Sequence, residues 1–301
     1  MIINTLPDPY LSSKPSGSNG GNVVINAFTN SRYYYPVHTT PFLLAANFKG
    51  TGNYRVNRSP VFIDQRFFYF LNEGDELEIN FEQNKPLETI LLLFSNQLMK
   101  AVAGYESQTT KDLLDMAPER RSIECSIPSV PIEYTPTIIR HLNRLRIRPD
   151  DEDQESVLFE LLDDLWILKG KVIDGLDKIK AKRKSTREEI YKRLLLAKLY
   201  MHDNFNIPLT VDAIAKEACL NKFHFLKLFR TYFGVSPHHY LVGLKLEEAY
   251  KLLAAGGSSV FEVCCAVGFE SQGTFANLFK RTYGFSPSQL RHKRGQIPNI
   301  E

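Results

Sequence analysis

The final third of this 301-residue chain contains one sequence pattern twice, about fifty residues apart. Residues 225–230 read FLKLFR and residues 275–280 read FANLFK, while residues 234–237 read GVSP and residues 284–287 read GFSP. In both copies apolar residues recur at three- and four-residue steps, which is typical of a helix with one buried face. The repeat therefore predicts an all-α domain built from two similar helical units.

Each copy carries the signals of two short helices joined by a tight turn. Hydroxyl or amide side chains that cap helices precede both helices of each copy, namely Thr210 and Asn221, then Ser259 and Ser271. A small residue is expected at the turn, at the matched positions Ala218 and Gly268. A longer helix from Pro237 to about Ala254 is predicted to join the copies, with a length of about 27 Å.

The charge of the chain is unevenly distributed. Residues 181–301 hold 18 Lys and Arg against 10 Asp and Glu, whereas the first 180 residues hold 19 against 24. A basic C-terminal part beside an acidic N-terminal part indicates a polyanionic partner for the C-terminal part alone. Successive major-groove faces of B-DNA lie about 34 Å apart, so the connecting helix has a suitable length to hold both units on one side of a duplex.

The outward faces of the second helix in each copy carry residues suited to DNA. Gln and Asn pair with adenine edges, Lys favours guanine, and apolar side chains contact thymine methyl groups. These rules predict base contacts by Phe223, Leu226, Lys227, Gln272 and Asn277. Contacts to phosphates are expected from Thr210, Lys222, Arg230, Lys280 and Arg281.

Residues 187–294 resemble the double helix-turn-helix DNA-binding domain of the AraC/XylS family of transcriptional regulators. The second copy carries the most specific part, VGFES at 267–271 followed by the second FxxLF[K/R] and GFSP segments. The resemblance implies base contacts by Phe223, Leu226 and Lys227, and by Gly273, Thr274 and Asn277. It also implies a regulator, an activator or a repressor, in the bacterial cytoplasm, at the nucleoid, with RNA polymerase as a partner.

Residues 21–149 are predicted to form a β-rich domain, cupin-like or a sandwich, that binds an effector or regulates the chain. Arg66–Leu71, the turn Asn72–Asp75 and Glu76–Phe81 suggest a hairpin. Residues 89–94 suggest a strand buried on both faces. The expected fold is thus α+β and multidomain, with a β-rich N-terminal domain that includes helices and an all-α C-terminal domain.

The segments that flank the β-rich domain are predicted from composition and periodicity. Residues 1–20 are expected to be a flexible tail, residues 181–186 a linker, and residues 187–295 the double helix-turn-helix domain. Apolar residues of 150–180 follow three- and four-residue steps and predict a helical dimerisation segment, in which a coiled-coil seam would form a homodimer. The same stripe is compatible with a helix lying on its own β domain.

No catalytic or metal-binding constellation is recognisable in the sequence. His38 stands alone, without the His-x-His and nearby Glu of metal-binding cupins, and the four cysteines lack a Cys-x-x-Cys pair. We therefore expect no cofactor, no bound metal and no enzymatic activity, and no apolar run is long enough to span a membrane. The alternative is a cupin-like metal-dependent enzyme with a helical appendage. Effector binding by the β-rich domain remains open, because its aromatic residues suit a ligand pocket or a plain core.

Overall fold

The chain folds into two compact units, Met1–Asp174 and Gly175–Glu301. The computed structural model describes residues 1–8, 21–61, 63–109, 126–147 and 151–294. The boundary between the units falls inside a helix, whereas the sequence placed the end of the helical segment at residue 180. No helix of the described ranges is long and apolar enough to cross a membrane.

The first unit contains two β-sheets and three helices in its described residues. The strands are β1 (Ile2–Ile3), β2 (Val23–Thr29), β3 (Tyr33–Thr39), β4 (Phe42–Lys49), β5 (Asn53–Val56), β6 (Ser59–Val61), β7 (Phe67–Leu71), β8 (Glu76–Phe81), β9 (Leu87–Phe94) and β10 (Pro131–Glu133). Sheet A has the order β1-β2-β9-β4-β7-β10, and sheet B has the order β3-β8-β5-β6. The two sheets face each other across one apolar layer, so this part of the chain is a β-sandwich.

Sheet A is buried on both faces, and its sequence shows why. In β7 all five residues are buried, and in β9 seven of eight are, because alternate side chains enter two different apolar layers. Leu91 and Leu93 pack between the sheets, whereas Ile90 and Leu92 pack on the opposite face. The prediction of a strand buried on both faces at residues 89–94 is confirmed.

Helices cover the second face of sheet A. They are α1 (Asn96–Thr109), α2 (Pro136–Arg146) and α3 (Asp151–Lys178). Leu158, Leu161 and Leu165 of α3 are at most 1% exposed and share one apolar cluster with Phe68 and Phe70 of sheet A. This part of the expected dimer seam is thus buried within the chain itself, because the β-rich unit needs a cover for its second apolar face. Of the two alternatives for α3, the structure shows the helix lying on its own β domain.

The predicted hairpin between β7 and β8 is wrong. β7 pairs with β4 and β10 in sheet A, whereas β8 pairs with β3 and β5 in sheet B. The turn at Asn72–Asp75 therefore crosses from one layer to the other, with Gly74 at a φ of 87°. The physical reason lies in the patterning, because a continuously apolar strand belongs in the doubly buried sheet and an alternating strand belongs in the half-exposed one.

The start of the predicted flexible tail is part of sheet A. Ile2 and Ile3 pair in parallel with Val24 and Ile25, which extends the sheet beyond β2. β-branched side chains suit such a strand, and pairing satisfies backbone groups that an edge strand leaves open. Residues 9–20 of the predicted tail lie outside the described residues.

The second unit is all-α in its described residues. Its helices after α3 are α4 (Lys184–Asp203), α5 (Val211–Glu217), α6 (Lys222–Phe233), α7 (Pro237–Ala255), α8 (Val260–Ala266), α9 (Gln272–Tyr283) and α10 (Pro287–Arg294). Helix α4 begins within the predicted 181–186 linker, because Lys184, Ser185 and Thr186 include no helix-breaking Pro or Gly. Residue 295, the predicted end of this domain, lies outside the described residues.

Candidate nucleic-acid interface

The sequence repeat appears in the structure as two matching sets of helix N-caps. Thr210 accepts a hydrogen bond from the backbone of Ala213 at 3.1 Å and begins α5, while Ser259 and Glu262 form a capping box that begins α8. Asn221 and Ser271 cap α6 and α9 in the same way. These side chains satisfy backbone N–H groups that the first turn of a helix leaves unpaired. These caps therefore fix the residue at which each helix begins.

The turns between the paired helices differ by one residue. Cys219 and Gly268 both adopt left-handed backbone conformations, with φ values of 51° and 74°. The backbone N–H of each donates to the residue three positions earlier, Lys216 and Cys265. Gly268 therefore corresponds to Cys219, and the sequence-based match of Gly268 with Ala218 is wrong. The second turn contains one additional residue before its cap, so the repeat distance is 49 residues before the turn and 50 after it.

A positively charged side chain of the preceding helix holds each turn. Arg193 Nη1 of α4 donates to the carbonyl oxygen of Cys219 at 3.2 Å, and Lys245 Nζ of α7 donates to that of Gly268 at 2.6 Å. Partial burial lowers the pKa of Lys245, and the nearby Glu270 carboxylate opposes this shift. Each reading unit thus comprises three helices, α4–α6 and α7–α9. Neither cation is recognisable from the sequence, where each is an ordinary basic residue of a long helix.

The predicted contact residues of α6 lie on one outward face. Phe225, Leu228 and Phe229 point into the core, while the predicted contact residues Lys222, Phe223, Lys227 and Arg230 are exposed and Leu226 is half-buried. The Phe223 side chain is 82% exposed, which is unusual for an aromatic residue without a partner molecule. Leu226, Lys227 and Arg230 line one groove with Phe223, and Thr231 and Ser236 complete it. Thr231 and Ser236 were not among the predicted contact residues.

Helix α9 presents a corresponding face of different chemistry. Phe275 and Phe279 are buried, whereas the predicted contact residues are all exposed, namely Gln272, Gly273, Thr274, Asn277, Lys280 and Arg281. Position by position, Phe223 corresponds to Gly273 and Lys227 corresponds to Asn277. The two scaffolds are therefore alike, and their outward faces are not.

Two of the predicted phosphate contacts have partners within the protein. Lys222 Nζ lies 2.7 Å from Asp212 Oδ2, in a pair whose side chains are 44% and 66% exposed. A pair this exposed contributes little to stability, so Lys222 can exchange Asp212 for a phosphate at small cost. Thr210 is exposed, but its hydroxyl oxygen already caps α5.

Several exposed positive charges of this unit that have no ion pair among the described residues lie on α6 and α9. Lys251 of the connecting helix α7 pairs with Glu247 at 3.0 Å and with Glu248 at 3.5 Å, so its charge is balanced locally. Lys227, Lys280 and Arg281 are exposed on α6 and α9 and have no ion pair within the described residues. The outward faces of α6 and α9 are therefore the basic surface that a polyanion can approach.

Comparisons with known proteins agree with this geometry. Residues 214–293 match the family described as "Helix-turn-helix domain". The chain is 25% identical over 124 residues to the HTH-type transcriptional regulator ArgR of Pseudomonas aeruginosa, covering 41% of this chain and 38% of that one. It is 34% identical over 86 residues to the HTH-type transcriptional regulator MtrA of Neisseria gonorrhoeae, covering 29% of each chain.

Among solved structures, the chain is similar to a transcriptional regulator of Chromobacterium violaceum described as having an AraC-type DNA-binding domain. The identity is 28%, the match covers 35% of this chain and 95% of that chain, and the TM-score is 0.33. The chain spans about a third of the length of the curated relatives it matches. The predicted resemblance of residues 187–294 to the double helix-turn-helix domain of the AraC/XylS family is thus confirmed.

Proposed function

We propose that the chain is a sequence-specific DNA-binding transcription regulator, in which α6 and α9 enter successive major-groove segments of one duplex. The observation that carries this proposal is the pair of exposed, unlike faces on two matched scaffolds. Helix α7 joins the scaffolds and has 19 residues, which corresponds to about 28 Å. This length suits one turn of DNA, about 34 Å.

The two faces are suited to different bases. On α6, Lys227 can donate to guanine while Phe223 and Leu226 contact thymine methyl groups; on α9, Gln272 and Asn277 can pair with adenine, beside Gly273 and Thr274. Thr210, Lys222, Arg230, Lys280 and Arg281 would contact phosphates, which fix the orientation of the protein on the duplex. Because the faces differ, one chain requires a directional site without internal symmetry.

Selection of bound genomic fragments by the full-length chain tests this function. The selected fragments should share one non-palindromic motif, and the affinity should fall steeply with salt as phosphate contacts release counterions. Equal binding to all fragments at every salt concentration would remove the basis of the proposal.

Substitution of Lys227 tests how the site is read. Lys227→Ala should weaken binding to the selected motif by about 1–3 kcal/mol and relax the preference at one base pair. Lys251→Ala is the matched control, because it removes the same charge from a residue that pairs with Glu247. A uniform loss on all sequences for Lys227→Ala would instead assign Lys227 to a phosphate.

The Met1–Asp174 unit offers a place for a small-molecule effector. A cavity of about 480 Å³ lies at the sandwich interior, with apolar side chains such as Leu43, Leu91 and Leu93 and with Tyr33, Tyr35 and His38 among its lining residues. Burial raises the pKa of both tyrosines, so their hydroxyl groups stay protonated at neutral pH. Among the described residues that line the cavity there is no Lys or Arg, and the carboxylate of Glu73 accepts a hydrogen bond from Asn96 Nδ2 at 3.0 Å. We therefore propose an uncharged, mainly apolar effector.

Three probes with one ring system and different charge test this effector class. Indole, indole-3-acetate and tryptamine are neutral, anionic and cationic, and only the neutral compound should raise the Tm of the full chain through preferential binding to the folded state. A larger shift with the anion would contradict the proposed effector class. An absence of any shift across a wider panel of neutral compounds would leave a regulator that acts without a ligand.

The remaining partners are proposals by analogy with the family. We infer that the chain works in the bacterial cytoplasm, at the nucleoid, and activates transcription through contact with RNA polymerase. A homodimer would require a surface other than the buried residues of the α3 stripe. Light scattering on the purified chain measures whether it is a monomer or a dimer. Metal analysis of the same sample tests the expectation that the chain is not an enzyme, because stoichiometric iron, manganese or zinc would favour the cupin-like alternative.

A further inference from the structure

Gly273 has no structural reason to be a glycine. It is the second residue of α9, it is exposed, and its backbone is helical rather than left-handed. A Cβ atom added there would meet nothing closer than Ser271 Oγ at 3.8 Å. Since glycine weakens a helix relative to alanine, the protein forgoes stability at this position without any gain in packing.

Gly175 and Gly284 of the same unit do have such a reason, whereas Gly243 does not and lies on α7 rather than on α6 or α9. A Cβ atom on Gly175 would lie 2.6 Å from the ring of Tyr232, and Gly284 has a φ of 81° at the end of α9. On a helix face that is proposed to contact DNA, a glycine that neither crowding nor a left-handed backbone requires has one common use, the close approach of another molecule to the backbone. No other described part of the chain packs against Gly273, so the approaching molecule would be a separate one.

The matched position in the first reading unit indicates what kind of molecule approaches Gly273. Phe223 occupies it on α6 and is 82% exposed. The neighbours of Gly273 on α9 are Gln272 and Thr274, both exposed and both able to form hydrogen bonds. At this matched position of the first turn, α6 therefore carries a benzyl group and α9 carries no side chain.

We propose that Gly273 is a specificity-determining residue that lets the first turn of α9 lie closer to DNA than the first turn of α6. The inference rests on the proposed function. The missing side chain leaves room for a base edge or a sugar against the helix backbone, which brings Gln272 and Thr274 within reach of bases. At α6, Phe223 fills the corresponding space and reads by apolar contact.

The test compares two glycine-to-alanine variants of the full-length chain on the DNA motif selected by the wild type. Gly243→Ala is the control, since Gly243 is also exposed, helical and without any atom within 4 Å of an added Cβ. It lies one helical turn from Glu247, whose carboxylate would repel phosphate, so this face of α7 should not contact DNA. Both variants should raise the Tm by roughly 2–4 °C.

The two variants should differ in DNA binding. Gly273→Ala should lose about tenfold in affinity, the size of one lost base contact, whereas Gly243→Ala should bind as the wild type does. On a duplex whose α9 segment is scrambled, Gly273→Ala and the wild type should bind equally. This second comparison distinguishes crowding at the DNA from a general change in the domain, because a general change would lower binding to both duplexes.

The outcomes separate the inference from the function it rests on. If the wild type prefers one motif and Gly273→Ala binds that motif equally well, the role of Gly273 is refuted and the proposed function stands. If Gly273→Ala loses affinity equally on both duplexes, the role of Gly273 is likewise refuted. If the wild type shows no preference for any DNA, the proposed function and this inference are both refuted.

Discussion

The left-handed turn at Gly268 offers the most direct test of how the second reading unit is held. An alanine Cβ at this position would lie 2.7 Å from the carbonyl carbon of Asn206 and nearer still to its oxygen. The left-handed backbone adds a cost of about 1–2 kcal/mol for any residue with a Cβ. Because the obstructing atoms are backbone, they cannot rotate away, and crowding adds about 1–3 kcal/mol. Gly268→Ala should therefore destabilise the unit by about 2–5 kcal/mol.

Urea unfolding of the full chain measures this loss with two signals. Trp166, the single tryptophan of the sequence, reports on the Met1–Asp174 unit by fluorescence, while far-UV circular dichroism also reports on the helices of the second unit. The circular dichroism transition of Gly268→Ala should shift to lower urea, with the fluorescence transition unchanged. Loss of the Lys245 hydrogen bond to Gly268 should accompany the shift.

Cys219→Ala is the matched control for this substitution. Cys219 has the same left-handed backbone in the first reading unit but is exposed and already carries a Cβ, so its replacement should change stability by less than about 0.5 kcal/mol. A Gly268→Ala variant as stable as Cys219→Ala would refute the argument from backbone crowding.

Two further predictions concern the core of the first unit and the cap of α8. Leu161→Ala should destabilise the chain by about 2–5 kcal/mol in the Trp166 fluorescence transition, because Leu161 is fully buried under sheet A; a loss of dimers without a loss of stability would contradict this. The pKa of Glu262 is lowered, first by the hydrogen bond from the Ser259 backbone, so its carboxylate stabilises the folded state above the ordinary value of 4.5 and ceases to do so as pH falls through the lowered pKa. Thermal melts should therefore show a smaller acid-induced decrease in Tm for Glu262→Gln than for the wild type, and equal decreases would disprove the contribution of the cap.

The sequence predicts the second unit well because its information is local. Caps such as Asn221 and Ser271, and the glycines that end α6 and α9, act within one turn of the chain, so the helices can be read directly. The correspondence between the two turns is harder to predict, because a single inserted residue shifts the alignment of the copies. An alignment at a constant distance pairs Gly268 with Ala218, whereas the backbone conformation pairs it with Cys219.

The first unit depends on contacts between distant segments, and there the sequence was less informative. The apolar stripe of α3 predicts a buried face but not its partner, and the partner is sheet A of the same chain. Adjacent strands joined by a short turn usually pair, yet β7 and β8 belong to different layers. The two-residue β1 is too short for any periodicity to reveal it.

Helix α7 is shared between the two reading units, since it packs on α4 and α6 of the first reading unit and begins the second reading unit. A residue inserted into α7 would turn everything after it by about 100° and advance it by about 1.5 Å. One extra base pair turns a DNA duplex by only about 35°. No single insertion in the protein can therefore compensate for a single insertion in the proposed site. The extra residue that the second copy does contain lies in a turn, where it lengthens a loop and leaves the lengths of α6 and α9 equal at 12 residues each.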